Sequence, residues 1–381
     1  MLLTADTVIT GAELLRPGWI EVSDGRVTAV GAGAAPRPAD RDLGPVTIVP
    51  GFVDTHNHGG GGGSFSVASE ADTSAAVALH RRYGTTTLIA SLVTTSPDDL
   101  LRQVGVLAED VRVGRIDGIH LEGPWLSTVR CGAHQPALMR DPGPAEIEQV
   151  LAAAAGAIRM VTIAPERPGA LAAIEQFVDA GVVVAVGHTE ATYEQTRAAL
   201  AAGATVGTHL FNAMRPIDRR EPGPVIALLE DSSVTVELIT DGVHVAPAIY
   251  RHVTCAVGPD RVSLITDAMA ATGMADGRYH LGPVEVDVSD GVAFVGGTDT
   301  IAGSTATMDH VVRFAVAHCG LEGDEALMLA VRQASLNPAR ALGLPGGGLT
   351  PGAAADLVVL DRDLTVGAVL RRGVWEPQPT V

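Results

Sequence analysis

The chain has 381 residues, with 26 basic against 44 acidic side chains and a formal net charge of −18. That excess of carboxylate argues against a nucleic-acid surface, because a phosphate backbone requires a positive field. Every basic residue is arginine and lysine is absent, which excludes Schiff-base chemistry, a P-loop lysine and any metal bridge built from a carboxylated lysine.

The first fifty residues alternate and turn often, at 2–9, 19–22 and 26–30, the last run following the Asp24-Gly25 turn. These are hairpin signals. The chain's end is similar, with runs at 355–360 and 368–370 leading into Arg372-Gly373. Segments 1–50 and 346–381 are therefore expected to pair into a small β-sandwich domain, with the Pro/Gly-rich stretch 345–352 as boundary. Between them, over 51–345, the rhythm changes. Apolar, β-branched runs recur at 46–54, 85–93, 116–122, 158–164, 182–187, 204–210, 234–240 and 261–266. Segments of helical composition intervene, among them 69–83, 97–111, 168–180 and 190–202. Eight strands apolar on both faces and alternating with helices predict an α/β fold, a (β/α)8 TIM-like barrel. The stretch 278–301 breaks the pattern and reads as an inserted β-hairpin turning at Asp290-Gly291. Three scattered cysteines, Cys131, Cys255 and Cys319, suggest a reducing compartment. With no signal-peptide or membrane-span pattern, the expectation is a cytoplasmic protein with neither membrane nor nucleic-acid partner.

Barrel enzymes build their sites at the carboxyl ends of the strands. There the sequence places His56 and His58, Glu122, His188, His209 and Asp267. Four histidines and two carboxylates make a ligand set suited to zinc or a similar first-row ion. The rings of His56 and His58, alternate along a strand, share one side. The glycines 59–63 that follow let backbone approach a ligand, or form a loose loop. Asp267, after the last strand, is placed to take a proton from water and return it to a leaving group. The long loop 124–144 reads as a lid carrying His134, which could polarise a substrate carbonyl. Cys131 in that loop is either a small residue without a role or a lid residue entering the pocket. His120 is expected to support the ligands, whereas His80, His252, His280, His310 and His318 have no assigned chemistry.

The run Pro50-Gly51-Phe52-Val53-Asp54-Thr55-His56-Asn57-His58-Gly59 resembles the opening signature of the amidohydrolase superfamily. A finer resemblance is to the N-acetylglucosamine-6-phosphate deacetylase family, carried by His120-Leu121-Glu122-Gly123-Pro124 and His209-Leu210-Phe211-Asn212-Ala213-Met214. Asp241-Gly242-Val243-His244, Thr266-Asp267-Ala268-Met269 and Ala302-Gly303-Ser304 extend it along nearly the whole chain. The resemblance implies hydrolysis of the acetamide of N-acetyl-D-glucosamine 6-phosphate to D-glucosamine 6-phosphate and acetate, in amino-sugar catabolism and cell-wall recycling. It implies Glu122, His188 and His209 as main metal ligands and His56 and His58 as the pair for a second ion. The cofactor would be one or two divalent ions per subunit, Zn2+ first, with Fe2+, Co2+ or Mn2+ as alternatives. Asp267 would be the acid/base and His134 the contact to the carbonyl. Ala133, Asn212, Ala213, Arg220, His244, Ile301, Ala302 and Gly303 would hold the sugar phosphate. Members of the family are commonly homodimers with the phosphate site near the interface. With no lysine, any bridging carboxylate falls to Glu122. The competing readings are a deacetylase for another N-acetylhexosamine phosphate, another amidohydrolase such as an adenine deaminase, and a non-catalytic scaffold on this fold.

Overall fold

A computed structural model describes residues 1–377, so the last four residues of the segment 346–381 lie outside the described residues. Eight parallel strands form one sheet in strict sequence order, each hydrogen-bonded to the next. Strands one to four are Phe52–Asn57, Thr85–Val93, Gly118–Glu122 and Ile158–Ile163. Strands five to eight are Val183–Val186, Val206–Gly207, Thr235–Ile239 and Val262–Ile265. Asn57 and Ala268 form a single bridge that brings the two ends of the sheet together. This is a TIM-like barrel.

Helices cover the outside because each carries its own start signal. Ser69 accepts the Asp72 N–H before Glu70–Arg82, and Ser96 accepts the Asp99 N–H before Pro97–Arg112. Thr192 and Gln195 form a capping box ahead of Tyr193–Ala201. Such a cap contributes about 1 kcal/mol. Inward faces bury Val104, Leu107, Ile147, Ile174 and Phe177 against the strands, each worth about 1.5–3 kcal/mol when fully removed from water. Among the described residues no helix is long and apolar enough to cross a membrane.

Two readings change at the ends of the barrel. The run 46–54 is two strands in two different sheets, broken at Pro50-Gly51. Thr47–Pro50 pairs with Leu357–Leu360 and Thr7–Ile9, outside the barrel. A Cβ at Gly51 would lie 2.0 Å from Thr86 Oγ1, so only glycine lets the chain pass into the barrel. The stretch 278–301 is a three-stranded antiparallel sheet, Gly277–Leu281, Val284–Ser289 and Val292–Val295, rather than one hairpin. Its additional turn sits at Gly282-Pro283, and its apolar face packs on Met269 and Ala302 beside the barrel mouth.

Strands from both ends of the chain share an apolar cluster that includes Leu3, Ile20, Ile48, Leu357 and Leu370. The glycine run after His58 is an ordered turn: Gly59-Gly60 pairs antiparallel with Gly63-Ser64. A side chain at Gly63 would meet Asp72 O at 2.2 Å, which accounts for glycine there.

Candidate metal centre

Strand one carries His56 inside the barrel mouth and delivers His58 just past its end, while Glu122 is the last residue of strand three. His188, His209 and Asp267 follow strands five, six and eight with φ of 46°, 25° and 49°. Phe211 and Ala213 nearby also have positive φ. Left-handed backbone costs a non-glycine residue about 1–3 kcal/mol and persists only where the surroundings impose it. Here it turns side chains at strand ends back over the barrel.

The six side chains converge. Glu122 Oε1 lies 2.9 Å from His188 Nε2, 3.0 Å from His209 Nε2 and 3.4 Å from His56 Nε2. Its Oε2 lies 3.1 Å from His58 Nε2 and 3.2 Å from His134 Nε2. Asp267 Oδ1 is 3.1 Å from His58 Nε2 and 3.6 Å from His56 Nε2. The His56 and His58 Nε2 atoms face each other at 3.2 Å, and those of His188 and His209 at 3.1 Å.

The outer ring nitrogens set which inner nitrogen bears a proton. His58 Nδ1 donates to Ser91 O at 3.2 Å, His188 Nδ1 to Arg130 O at 3.0 Å and His56 Nδ1 to Glu237 Oε2 at 3.4 Å. When neutral, a ring held in this way presents an Nε2 lone pair inward, the state a metal ligand needs. His134 is wired the opposite way. Its Nδ1 accepts the Thr94 N–H at 3.2 Å, leaving the proton on Nε2. That N–H donates to Glu122. Burial outweighs the pull of Glu122 and holds His134 down at about 4, so the ring stays neutral.

Charge balance supports a cation. Burial raises the Asp267 carboxyl, but the nearby His56 and His58 outweigh it and hold it below the usual carboxylate range. Burial lowers His58, yet hydrogen bonds to Asp267 and Glu122 raise it to about 9. The carboxylates thus draw positive charge into a buried site. Inward lone pairs and carboxylate oxygens fit a divalent ion such as zinc. Ligand atoms lie within 4.8 Å of one another in two groups, His56 with His58 and Glu122, and Glu122 with His134 and His188. In the second group the protonated Nε2 of His134 is a donor rather than a lone pair. His209, equally near Glu122 and His188, is the better third ligand.

A cavity of about 260 Å³ opens on this cluster, lined by His58, Glu122, His134, His188, His209 and Asp267. Ala133, Asn212, Ala213, His244, Ile301 and Gly303 also line it. His244 is held by Asp241, Nδ1 to Oδ2 at 2.7 Å. Other expected residues stand apart. His56 and Ala302 are fully buried behind the wall. Arg220 is exposed on the loop between strand six and its helix and does not line the cavity. Cys131 is half-buried beside the lining residue Gly132. His134, expected on a lid, is 6 % exposed and lines the cavity. His120 donates or accepts at Ser91 and Thr162, 2.9 and 2.8 Å away, and its ring packs edge-on against His56. Sequence reasoning missed Glu237, although a carboxylate inside the apolar run 234–240 was a readable signal. It also missed Leu281, Asp299 and Thr300, which the inserted sheet and its following turn bring to the cavity.

Residues 47–376 match the amidohydrolase family. The chain belongs to that family. Several amidohydrolases resemble it along nearly their whole length. The N-acetyl-D-glucosamine-6-phosphate deacetylase of Mycobacterium smegmatis, solved as a D267A mutant in complex with N-acetyl-D-glucosamine-6-phosphate, is 74% identical. The match covers 98% of both chains with a TM-score of 0.98. The N-acetylgalactosamine-6-phosphate deacetylase of Escherichia coli O157:H7 is 37% identical, over 94% of this chain and 96% of its own. The N-acetylglucosamine-6-phosphate deacetylase of Rattus norvegicus is 35% identical, over 99% of this chain and 93% of its own.

Proposed function

We propose that this amidohydrolase cleaves the acetamide of N-acetyl-D-glucosamine 6-phosphate to D-glucosamine 6-phosphate and acetate, in amino-sugar catabolism and cell-wall recycling. The observation that carries the reading is the 74% identical deacetylase solved with that sugar phosphate as a D267A mutant. The substitution has the number and residue type of Asp267, which here faces the metal centre.

In this reading Glu122, His188 and His209 would hold one divalent ion, and His56 and His58 would hold a second beside Glu122. Zinc is the preferred ion, with Fe2+, Co2+ and Mn2+ as competitors for the same donors. When bound, such an ion lowers the pKa of a coordinated water and polarises the amide carbonyl. Asp267 accepts the proton of the attacking water as the new C–O bond forms, then gives it to the amine nitrogen as the C–N bond breaks. His134 donates its Nε2–H to the carbonyl oxygen as negative charge develops there, a donor worth about 3 kcal/mol. Ala133, Asn212, Ala213 and the segment 301–303 position the sugar, and Cys131 belongs to the loop that covers it.

His244 and Arg220 take the phosphate. No arginine lines the cavity among the described residues, and Arg220 is exposed. That supports a homodimer in which the phosphate site lies near the subunit interface. Three free thiols suit the reducing cytoplasm.

Acetate release from N-acetylglucosamine 6-phosphate, compared with the unphosphorylated sugar, tests the reading. Equal kcat/KM on both would remove the phosphate site. A second reading, N-acetylgalactosamine 6-phosphate as substrate, is favoured by the 37% identical Escherichia coli O157:H7 relative. Faster turnover of that epimer in the same assay would establish it instead.

A further inference from the structure

Glu237 is a buried carboxylate that the proposed chemistry does not use. It sits mid-way along strand seven and is 1 % exposed. Its Oε1 accepts the Thr55 hydroxyl at 2.9 Å, and its Oε2 faces His56 Nδ1 at 3.4 Å. Among the described residues no arginine reaches it. A buried carboxylate held by one hydroxyl and one imidazole is costly to keep.

Besides His134, four rings turn toward Glu122, and they differ in what holds their outer nitrogens. His58 and His188 each donate to a neutral backbone carbonyl. His209 Nδ1 has no partner. His56 alone meets a carboxylate. An anionic acceptor fixes the tautomer and also raises the basicity of the opposite nitrogen. His120, packed 4.6 Å from His56 between ring centres, cannot take over, because both its nitrogens are engaged by Ser91 and Thr162. The backbone of Glu237 also ties strand seven to the neighbouring ligand, since its carbonyl accepts the N–H of Leu210, the residue after His209.

We propose that Glu237 is a positioning residue that commits His56 to metal binding, and so decides whether the chain holds the ion shared by His56, His58 and Glu122. The inference rests on the metal-centre reading above. It concerns occupancy and not turnover. A count of bound ions needs no substrate, so failure of the acetate assay would leave the result standing.

The test dialyses the holoprotein against graded free Zn2+ and counts ions per subunit by plasma mass spectrometry. The parent is expected to hold two ions. In Glu237→Met one of them should require about 10- to 100-fold more free Zn2+, while the other is retained. Glu237→Gln keeps an oxygen that can accept the His56 N–H, and should bind within a few-fold of the parent. Thr55→Val removes the hydroxyl that holds Glu237 without touching either carboxylate or ring. It should fall between the two, and it keeps the idea testable should Glu237→Met not fold. An unchanged binding curve in both Glu237→Met and Thr55→Val would overturn the proposal. So would joint loss of both ions in every variant, or a parent that never holds more than one.

Discussion

The carboxylate of Asp54 joins the first strand of the barrel to the end of the last by binding Thr266 twice. Its Oδ2 accepts the Thr266 hydroxyl at 2.6 Å and its Oδ1 the Thr266 N–H at 3.2 Å. The same hydroxyl oxygen accepts the Ala268 N–H at 3.1 Å, closing a turn around Asp267. Asp267 in turn donates its N–H to His56 O at 2.9 Å. One buried pair therefore joins the ends of the barrel sheet and fixes the turn that carries Asp267.

Replacing Thr266 by valine leaves the Ala268 N–H unpaired and takes one hydrogen bond each from Asp54 and Asn57, which keep their bond to each other. Each buried group left unpaired costs about 1–3 kcal/mol, so Thr266→Val should lose about 3 kcal/mol in urea unfolding. Thr266→Ser keeps the oxygen and should lose only about 1 kcal/mol for its missing methyl. Equal losses in the two variants would show that the hydroxyl contributes nothing.

Asp267→Asn should keep its bound ions yet turn over about 10²- to 10⁴-fold more slowly, the range for losing a positioned acid/base. Metal analysis beside acetate release separates the two effects. Near-parental turnover would remove Asp267 from the mechanism.

His134→Asn should reduce kcat about 100-fold, since the shorter side chain cannot present its donor at the carbonyl. Its metal content should match the parent's, because the Thr94 N–H leaves the inward nitrogen of His134 protonated. Loss of an ion in this variant would instead make His134 a ligand.

A strong chelator should abolish acetate release and lower the melting temperature, and Zn2+ should restore both. An ion at 100 times its dissociation constant adds about 2.7 kcal/mol of stability to the folded chain. A melting curve that chelation leaves in place would count against a cation holding these strand ends.

Far from the site, Asp40 accepts hydrogen bonds from Arg37 and from the Leu2 N–H, which bring its carboxyl from 3.8 down to about 2. Because the folded value is the lower one, this stabilisation is present above the unfolded value and is lost as pH falls through the folded one. Asp40→Asn should therefore melt below the parent at neutral pH, and the gap should close between about pH 4 and pH 2. A gap independent of pH would mean that the carboxylate charge is not what matters.

The barrel was legible because its strands are apolar on both faces, which leaves polar residues conspicuous at their carboxyl ends. His188, His209 and Asp267 stand out for that reason, although nothing local announces the positive φ that aims them. Glu237 was overlooked because it lies mid-way along its strand and not at the carboxyl end where polar residues stand out, and only the fold shows it beside Thr55 and His56. The wiring of His134 depends on the Thr94 N–H, forty residues away, a pairing that only the folded chain reveals. The added strand at 277–281 was hidden because Gly282-Pro283 makes a second turn close to the one at Asp290-Gly291. Arg220 carries the charge a phosphate needs, but its loop leaves it exposed and off the cavity wall.

The wall of the cavity carries three carboxylates, Glu122, Asp267 and Asp299, and none of its lining residues is an arginine. An anionic sugar entering a metal-free pocket meets repulsion that a bound cation offsets. The two guests therefore favour one another, and equilibrium makes the favour mutual. Whatever factor the ion adds to sugar-phosphate affinity, the sugar phosphate adds to the retention of the ion. Under the proposed function an idle enzyme would then shed its metal more readily than one supplied with substrate, and starvation for the amino sugar would be the condition under which the centre empties.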